Sequence, residues 1–355
     1  MRRFRNFGCH LVTSRYSLPD LLRHAQFLDS NGFDLVTVGD HTLIPNSAAT
    51  YPNAQMVLGY LGSITKNCRL SPAVTDPLRR HPVEIAQATV TLDQLTHGRA
   101  MLGIGAGEMM NLEPFGFEWG KAYTRLVEAI DVIKLLWGSS PAAPVDYQGE
   151  FFRLARAYLQ IRQFGARPPP IYVGAVGRKT RELVGEKADG WLPVIESPAS
   201  LRSHLEDVGR GVARSGRQVR EIDATVTFYS EVSDDRSASL KTVEPVARMQ
   251  LTQERSVLEL TSGMKVPERL SVQRLLANDV ALSRELQDFG AGIPMRVIED
   301  VTAVGPVEDC IKKLEQFLDS GATSFLLCNL SRDQERTFGA YAQGIVPYLR
   351  ENYGV

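Results

Sequence analysis

Short apolar runs alternate with amphipathic stretches along the whole chain. Eight of these runs are four to six residues long and lack a strict alternation of polar and apolar positions. Continuous apolar runs of this length are typical of strands in a parallel sheet that is buried on both faces. The runs predict strands at residues 7–12, 35–38, 70–74, 100–104, 171–176, 190–195, 224–228 and 324–328.

Helical patterns fill the gaps between these runs. Ser17 and Asp20 form a predicted capping pair at the start of the first helix, and Gly32 is placed to end it. Further along, Pro306 suits a first helical turn. Eight strand–helix units favour a closed (β/α)₈ barrel, the TIM barrel, over an open doubly wound sheet. The expected fold class is therefore α/β, a TIM barrel with loop insertions.

Two segments interrupt the alternation. Residues 139–170 contain Gly149 and several prolines and predict a loop or hairpin excursion, whereas residues 236–300 read as a helical insertion before the last β/α unit. Long insertions in barrels often cover the substrate opening. A barrel of about 250 residues grows by such insertions. The 355 residues are therefore expected to form a single barrel domain over 1–355.

Composition and charge exclude several classes of function. The formal net charge is −1, which gives no reason to expect a nucleic acid as a partner. No run approaches the roughly 18 apolar residues that span a bilayer, and the N-terminus lacks a signal-peptide pattern. The cysteines have neither metal-ligand nor redox-pair spacing, so we expect no metal site and buried free thiols in a cytoplasmic protein. They are Cys9, Cys68, Cys310 and Cys328.

Closely spaced glycines follow the fourth predicted strand. Gly103, Gly105 and Gly107 precede Glu108. This is not the dinucleotide-binding fingerprint, because the third glycine comes one residue early. Glycines let a ligand approach the backbone, but they also permit a simple tight turn, and the residues alone leave both interpretations open.

A second glycine segment ends the fifth predicted strand and opens a helix. It runs Gly174, Ala175, Val176, Gly177 and Arg178. A helix N-terminus offers unpaired N–H groups and a positive dipole, which suit a phosphate. The alternative is an ordinary strand-to-helix turn with a solvated arginine.

Asp40 and His41 follow the second predicted strand, at the end of a barrel where catalytic groups are placed. A histidine beside a carboxylate can exchange protons near neutral pH, but the same pair could merely cap a loop. Arg79 and Arg80, after the third strand, could bind an anionic group or lie in solvent. No zinc-protease, serine-hydrolase or Walker motif is present.

Taken together, three blocks resemble the luciferase-like superfamily, and within it the coenzyme F420-dependent group. They are residues 74–82 (VTDPLRRHP), 86–93 (AQATVTLD) and 98–108 (GRAMLGIGAGE). The continuation at 113–119 (EPFGFEW) most resembles the phthiodiolone ketoreductases, and methylene-tetrahydromethanopterin reductases belong to the same group. The resemblance covers roughly residues 5–230 and 300–330.

This resemblance implies a bacterial luciferase-like barrel with a deazaflavin in its C-terminal opening. It also implies a non-prolyl cis peptide at the end of the third strand, and relatives are commonly homodimers. The basic cluster that binds sugar phosphate in some relatives is not found, and Leu43 stands where some have an aromatic residue. The implied cofactor-binding residues are Ala73, Val74, Thr75, Gly105, Ala106, Gly107, Asn111, Gly174, Ala175, Val176, Gly177 and Arg178.

The resemblance also assigns the chemistry. Glu108 ends the glycine loop with an acid, as F420-dependent members commonly do, where many FMN-dependent monooxygenases have an aromatic residue. The implied reaction is hydride transfer between F420 and a small organic substrate, either a ketone or alcohol or a pterin-bound carbon. Glu108 is the expected proton donor or acceptor, His41 the competing candidate, and Asp40 its orienting partner. The alternatives are an FMN-dependent two-component monooxygenase and a non-catalytic cofactor-binding barrel.

Overall fold

A ring of parallel strands forms the centre of the molecule. The computed structural model describes residues 3–44, 51–270 and 279–355. Its strands are β1 (Asn6–Leu11), β2 (Leu35–Val38), β3 (Arg69–Pro72), β4 (Leu102–Gly105), β5 (Val145–Gln148), β6 (Arg153–Ala157), β7 (Ile171–Gly174), β8 (Gly190–Trp191), β9 (Asp223–Val232), β10 (Thr302–Gly305) and β11 (Ser324–Asn329).

Eight of these strands make a nearly closed barrel in the order β3-β2-β1-β11-β9-β8-β7-β4, and all their pairings are parallel. Isolated parallel bridges, Leu70 to Ala100 and Thr75 to Ile104, join the two ends of this order. Each predicted apolar run falls on one barrel strand, so the predicted α/β TIM barrel is confirmed. The run at 190–195 was too long, because only Gly190–Trp191 pairs as a strand.

Helices surround the barrel. The first begins where the sequence predicted it, since the Ser17 side chain accepts a hydrogen bond from the backbone N–H of Asp20. The helices are α1 (Leu18–Ser30), α2 (Ala54–Ile64), α3 (Pro82–Leu95), α4 (Ala122–Gly138), α5 (Arg178–Lys187), α6 (Pro198–Ser215), α7 (Arg236–Gln253), α8 (Arg255–Ser262), α9 (Val280–Ala291), α10 (Met295–Val301), α11 (Val307–Asp319), α12 (Gln334–Ala340) and α13 (Val346–Tyr353).

The two interrupting segments have different structures. Strands β5 and β6 pair antiparallel within residues 139–170. Helices α7 to α10 lie within residues 236–300, of which 271–278 fall outside the described part of the chain. Strand β10 pairs with β9 and was not predicted, because its four residues continue the apolar pattern of α10 without a break.

Side chains alternate between the outside and the inside of the barrel wall. Phe7 and Phe228 pack with Tyr341, which follows α12, and Phe325 packs with both of these phenylalanines, so all three face the outer helices. Leu326 comes next to Phe325 in β11 and so points to the opposite side. It belongs to a small cluster of buried residues that fills the interior, together with Leu35, Met101 and Leu192.

A separate hydrophobic cluster joins the helical insertion to the barrel. It combines Val243, Leu251 and Val257 of α7 and α8 with Met110, which follows β4, and Ile195, which follows β8. The insertion therefore packs against the loops at the C-terminal ends of the strands. None of the described helices is long and apolar enough to cross a membrane. The four cysteines are buried and free, as predicted.

Candidate active site

Parallel strands bring their C-terminal ends to one end of the barrel, and the predicted site residues gather there. Asp40 and His41 follow β2, residues 73–75 follow β3, residues 106–111 follow β4, and residues 175–178 follow β7. Segments far apart in the sequence therefore share one opening.

Asn111 connects two of these loops. Its Oδ1 accepts hydrogen bonds from the backbone N–H groups of Thr42 at 2.7 Å and Leu43 at 2.9 Å. These two donors fix which end of the amide is oxygen. The Nδ2 group therefore donates, to His41 Nδ1 at 3.0 Å and to Glu108 Oε2 at 3.4 Å. Asn111 was predicted only as a residue that touches the cofactor, and its hydrogen bonds give it a positioning role as well.

The orientation of the amide decides the form of the imidazole. Because Asn111 donates to Nδ1 of His41, the neutral ring carries its proton on Nε2. The Nδ1 atom lies 3.4 Å from Glu108 Oε2, and about a third of each of these two side chains is exposed. The structure thus brings Glu108, His41 and Asn111 together, with two proton-exchanging groups accessible from the opening.

Asp40 has different neighbours from those expected. Its carboxylate accepts two hydrogen bonds from Arg80, at 2.9 and 3.2 Å, and one from the Thr75 hydroxyl at 2.7 Å. Arg79 Nη2 lies 3.5 Å from the same carboxylate. His41 is not among its hydrogen-bond partners in the described structure, so the idea that Asp40 orients His41 is wrong. The arginines satisfy Asp40 with charge-assisted bonds, and Asn111 supplies the donor that His41 needs.

These contacts keep Asp40 charged. Burial raises the pKa of Asp40, but the hydrogen bond from Arg80, the charges of Arg79 and Arg80 and the Thr75 hydroxyl outweigh it, so the pKa is lowered. Arg79 also bonds to Asp76 at 2.6 Å. Both arginines are therefore engaged by buried carboxylates, which makes them anchors of the loop after β3 rather than free anion ligands.

The position of the Val74 side chain explains why residues 105 and 174 are glycines. The peptide between Ala73 and Val74 is cis, as the resemblance implied. A Cβ atom at Gly105 would lie 2.8 Å from the Val74 side chain, and one at Gly174 would lie 3.2 Å from it. Both glycines thus make room for Val74. Gly107 has a different reason, because its φ of +74° is a left-handed conformation that favours glycine.

The turn before α5 has the features of an anion site. Gly177 is the N-cap residue and has no side chain to satisfy the first N–H groups of the helix. Arg178 is largely exposed, and its Nε bonds to Glu182 at 2.9 Å along the helix. The backbone N–H groups are therefore open to a ligand, whereas the guanidinium of Arg178 is paired with an acid.

Buried side chains fix the backbone of residues 175–177. The Trp191 indole donates to the Ala175 carbonyl at 2.9 Å. Arg181 donates to the carbonyl of Val176 and pairs with Asp207 at 2.8 Å. The conformation of residues 175–177 is thus set by buried side chains of α5, β8 and α6.

Several groups at this end of the barrel were missed from the sequence. Burial, and then the charge of nearby His41, lower the pKa of His10 to about 4, so His10 is neutral at physiological pH. His10 is the last residue but one of β1, and its position near the C-terminal end of a strand was the signal that could have identified it. Glu196 and Glu254 are buried acids without a motif around them.

Comparison with known proteins supports the fold. An F420-dependent glucose-6-phosphate dehydrogenase of Nakamurella multipartita is 28% identical over 98% of this chain and 97% of its own. A phthiodiolone/phenolphthiodiolone dimycocerosates ketoreductase of Mycobacterium bovis is 28% identical over 84% of each chain. The solved structure of an F420-dependent secondary alcohol dehydrogenase with an F420-acetone adduct has a TM-score of 0.82 and 25% identity, covering 98% of this chain and 99% of its own. The profile of the luciferase-like monooxygenase family matches residues 4–324, and the chain belongs to this family.

Proposed function

We propose that the protein is an F420-dependent oxidoreductase that transfers a hydride between the deazaflavin and a small organic substrate, a ketone or an alcohol. The observation that carries the proposal is the group formed by Glu108, His41 and Asn111 at the barrel opening, with 3.4 Å between His41 Nδ1 and Glu108 Oε2. Relatives with F420 in their names match nearly the whole chain, which supports the same cofactor here.

The residues at the opening fit such a cofactor. The N-terminus of α5 is not capped by a side chain, so its N–H groups and dipole can bind an anionic group. Val74, supported by Gly105 and Gly174, offers an apolar surface between the loops after β4 and β7. The proposed contacts are those implied by the resemblance: Ala73, Val74, Thr75, Gly105, Ala106, Gly107, Asn111, Gly174, Ala175, Val176, Gly177 and the backbone of Arg178.

The side chains of the chain itself would handle the proton. A bound deazaflavin supplies or accepts the hydride. Reduction of a ketone also needs a proton at the substrate oxygen, and oxidation of an alcohol needs that proton removed. We assign this exchange to Glu108, with His41 as the competing group because its Nε2 carries a proton. Asp40 acts indirectly, because its ion pairs with Arg79 and Arg80 attach the loop after β2 to the loop after β3.

Fluorescence titration of the purified protein with F420 and with FMN tests the cofactor. We expect F420 to bind in the low micromolar range or more tightly, and FMN much more weakly. A panel of ketones with reduced F420 then tests the reaction. Tighter binding of FMN, or oxygen consumption with reduced FMN, would indicate a two-component monooxygenase instead. Tight F420 binding without turnover of any ketone, alcohol or pterin substrate would indicate a non-catalytic barrel.

We also propose that the protein is a homodimer in which α2 and α3 contact a second copy. These helices line a surface groove of about 400 Å³. Large apolar side chains stand exposed beside it: Met56 at 76%, Tyr60 at 54% and Leu95 at 57%. Exposed apolar side chains around a groove favour a protein contact over solvent. Light scattering should give twice the monomer mass, and Tyr60→Glu should lower it. A monomeric wild-type protein would refute this surface as an interface.

We place the protein in the cytoplasm. The support is chemical, because its four cysteines are free thiols, which persist in a reducing compartment. Fractionation of the source cells, followed by detection with an antibody, tests this assignment. Recovery from an oxidising compartment would contradict it.

A further inference from the structure

Glu254 lies where the helical insertion meets the barrel opening. It is the residue between the end of α7 and the start of α8, and its side chain is buried, with 4% of the residue exposed. Neighbouring residues of the same helices, Leu251 and Val257, pack in one cluster with Met110, which follows β4. The helix break that carries Glu254 therefore lies against the loops that hold the candidate active site.

The titratable groups around Glu254 come from four segments of the chain. Glu196 follows β8 and Glu108 follows β4, and both disfavour a second negative charge at Glu254. Arg181 of α5 acts in the opposite direction, but its guanidinium pairs with Asp207 at 2.8 Å. Tyr229 of β9 is also within electrostatic reach. Within the described part of the chain, no basic nitrogen lies within 4 Å of the Glu254 carboxyl.

The surroundings therefore keep this acid uncharged. Burial raises the pKa of Glu254 well above its ordinary value, and the charges of Glu196 and Glu108 add to the rise against the opposing charge of Arg181. A neutral carboxyl group has one O–H donor and further acceptor capacity. The hydrogen bonds among the described residues use only the backbone of Glu254 and leave its carboxyl group available to a ligand.

We propose that the buried Glu254 carboxyl group, which has no hydrogen-bond partner among the described residues, contacts a carbonyl or hydroxyl oxygen of the substrate, and that Glu108 and Glu196 disfavour phosphorylated substrates. This inference rests on the proposed function. Its physical basis is an unpartnered carboxyl group buried beside the loops of the opening, which can donate to an uncharged oxygen. A phosphate would face Glu108 and Glu196, and of the described basic groups near them Arg181 is paired with Asp207 and His204 with Glu196. Glu254 would thus help to determine which substrates the barrel accepts.

Thermal unfolding of the cofactor-free protein between pH 5 and pH 9 tests the uncharged form. A raised pKa in the folded state means that Glu254 stabilises the protein at low pH and that this contribution is lost as the pH rises. Glu254→Gln removes the titration, so its melting temperature relative to wild type should increase steadily with pH. The control Glu259→Gln changes an exposed acid of α8 and should show no such trend. A pH-independent difference for Glu254→Gln would overturn the proposal.

Steady-state kinetics with reduced F420 and acetone or cyclohexanone test the contact with substrate. Glu254→Leu removes the hydrogen bond and should lower kcat/KM about tenfold, mainly through KM, whereas Glu254→Gln retains a donor and should stay within about threefold of wild type. F420 titration should give the wild-type affinity for both variants. Wild-type kinetics in Glu254→Leu, or turnover of glucose 6-phosphate but of none of the uncharged substrates, would refute the proposal. Failure of the wild type to bind F420 would instead refute the proposed function, and the unfolding experiment would still report on Glu254.

Discussion

Asn111→Asp isolates the hydrogen bond that sets the form of His41. The aspartate has nearly the shape of the asparagine, so one carboxylate oxygen can still accept from the backbone N–H groups of Thr42 and Leu43. The other oxygen would replace the amide nitrogen that donates to His41 Nδ1 at 3.0 Å. An acceptor there requires a proton on Nδ1, so the neutral ring should change from the Nε2–H to the Nδ1–H tautomer.

Two variants, Asn111→Leu and Asn111→Asp, separate the loss of stability from the loss of turnover. Asn111→Leu leaves two backbone donors without their partner, at about 1–3 kcal/mol for each fully buried group. Thr42 is exposed and Leu43 only half-buried, so water can replace part of the loss. We expect about 2 kcal/mol of destabilisation for the leucine and less for the aspartate, which keeps the acceptor for Thr42 and Leu43 but places a second carboxylate beside Glu108. With His41 in the wrong tautomer, turnover in Asn111→Asp should fall about 10²-fold or more.

Long-range ¹H–¹⁵N NMR correlation spectra of histidine-labelled protein report the tautomer directly. The chain has six histidines, so a His41→Gln variant identifies the signal. Urea unfolding measures the two stabilities in the same samples. An Nδ1–H tautomer in the wild type would show that the amide of Asn111 points the other way, and an unchanged tautomer in Asn111→Asp would show that it does not control His41.

Two further predictions concern the carboxylates. Glu108→Gln should keep F420 affinity while lowering ketone turnover about 10²–10⁴-fold, with the exposed Glu113→Gln as its control; full turnover would make His41 the proton donor instead. Asp40→Asn should destabilise the protein by about 3 kcal/mol at pH 7, because it leaves Arg80 without its partner. Since the folded pKa of Asp40 is lowered, its contribution is present above the unfolded pKa and is lost as the pH falls, so wild type and variant should converge in acid. Urea unfolding at pH 7 and at about pH 2.5, below the ordinary Asp pKa of 3.8, measures this, and an equal difference at both pH values would contradict it.

The barrel itself could be predicted from the sequence because its strands are buried on both faces. A short, continuous apolar run such as 35–38 is typical of a buried parallel strand, and the observed β2 has the same bounds. The regular alternation of eight such runs with helical stretches then predicted the closed (β/α)₈ barrel. The prediction failed where strand pairing is decided by neighbours rather than by the run itself, as at Gly190–Trp191 and at β10.

The site was predicted only in part, since a motif names residues but not their partners. The sequence left open whether the glycine segments that contain Gly105 and Gly174 bind a ligand or form simple turns, and it gave no sign that both glycines also make room for the Val74 side chain. Arg178 was read as a phosphate ligand, but Glu182 lies one turn further along α5 and pairs with it. Glu254 could not be identified from the sequence, because no motif surrounds it and the acids that raise its pKa, Glu196 and Glu108, are distant in sequence.

Asp40 and His41 show how neighbours in the chain divide two tasks. Asp40 is buried and fixed by charge-assisted bonds from Arg80 and by the Thr75 hydroxyl, so the loop after β2 is attached to the segment after β3. His41 is bound by Asn111, so the same loop is also attached to the segment after β4. Three loops of the opening thus hold one another through buried polar groups, and the partly exposed side chains of His41 and Glu108 are positioned by that framework. The two neighbours therefore have separate partners, Arg80 and Thr75 for Asp40 and Asn111 for His41, and do not form an acid–base dyad with each other.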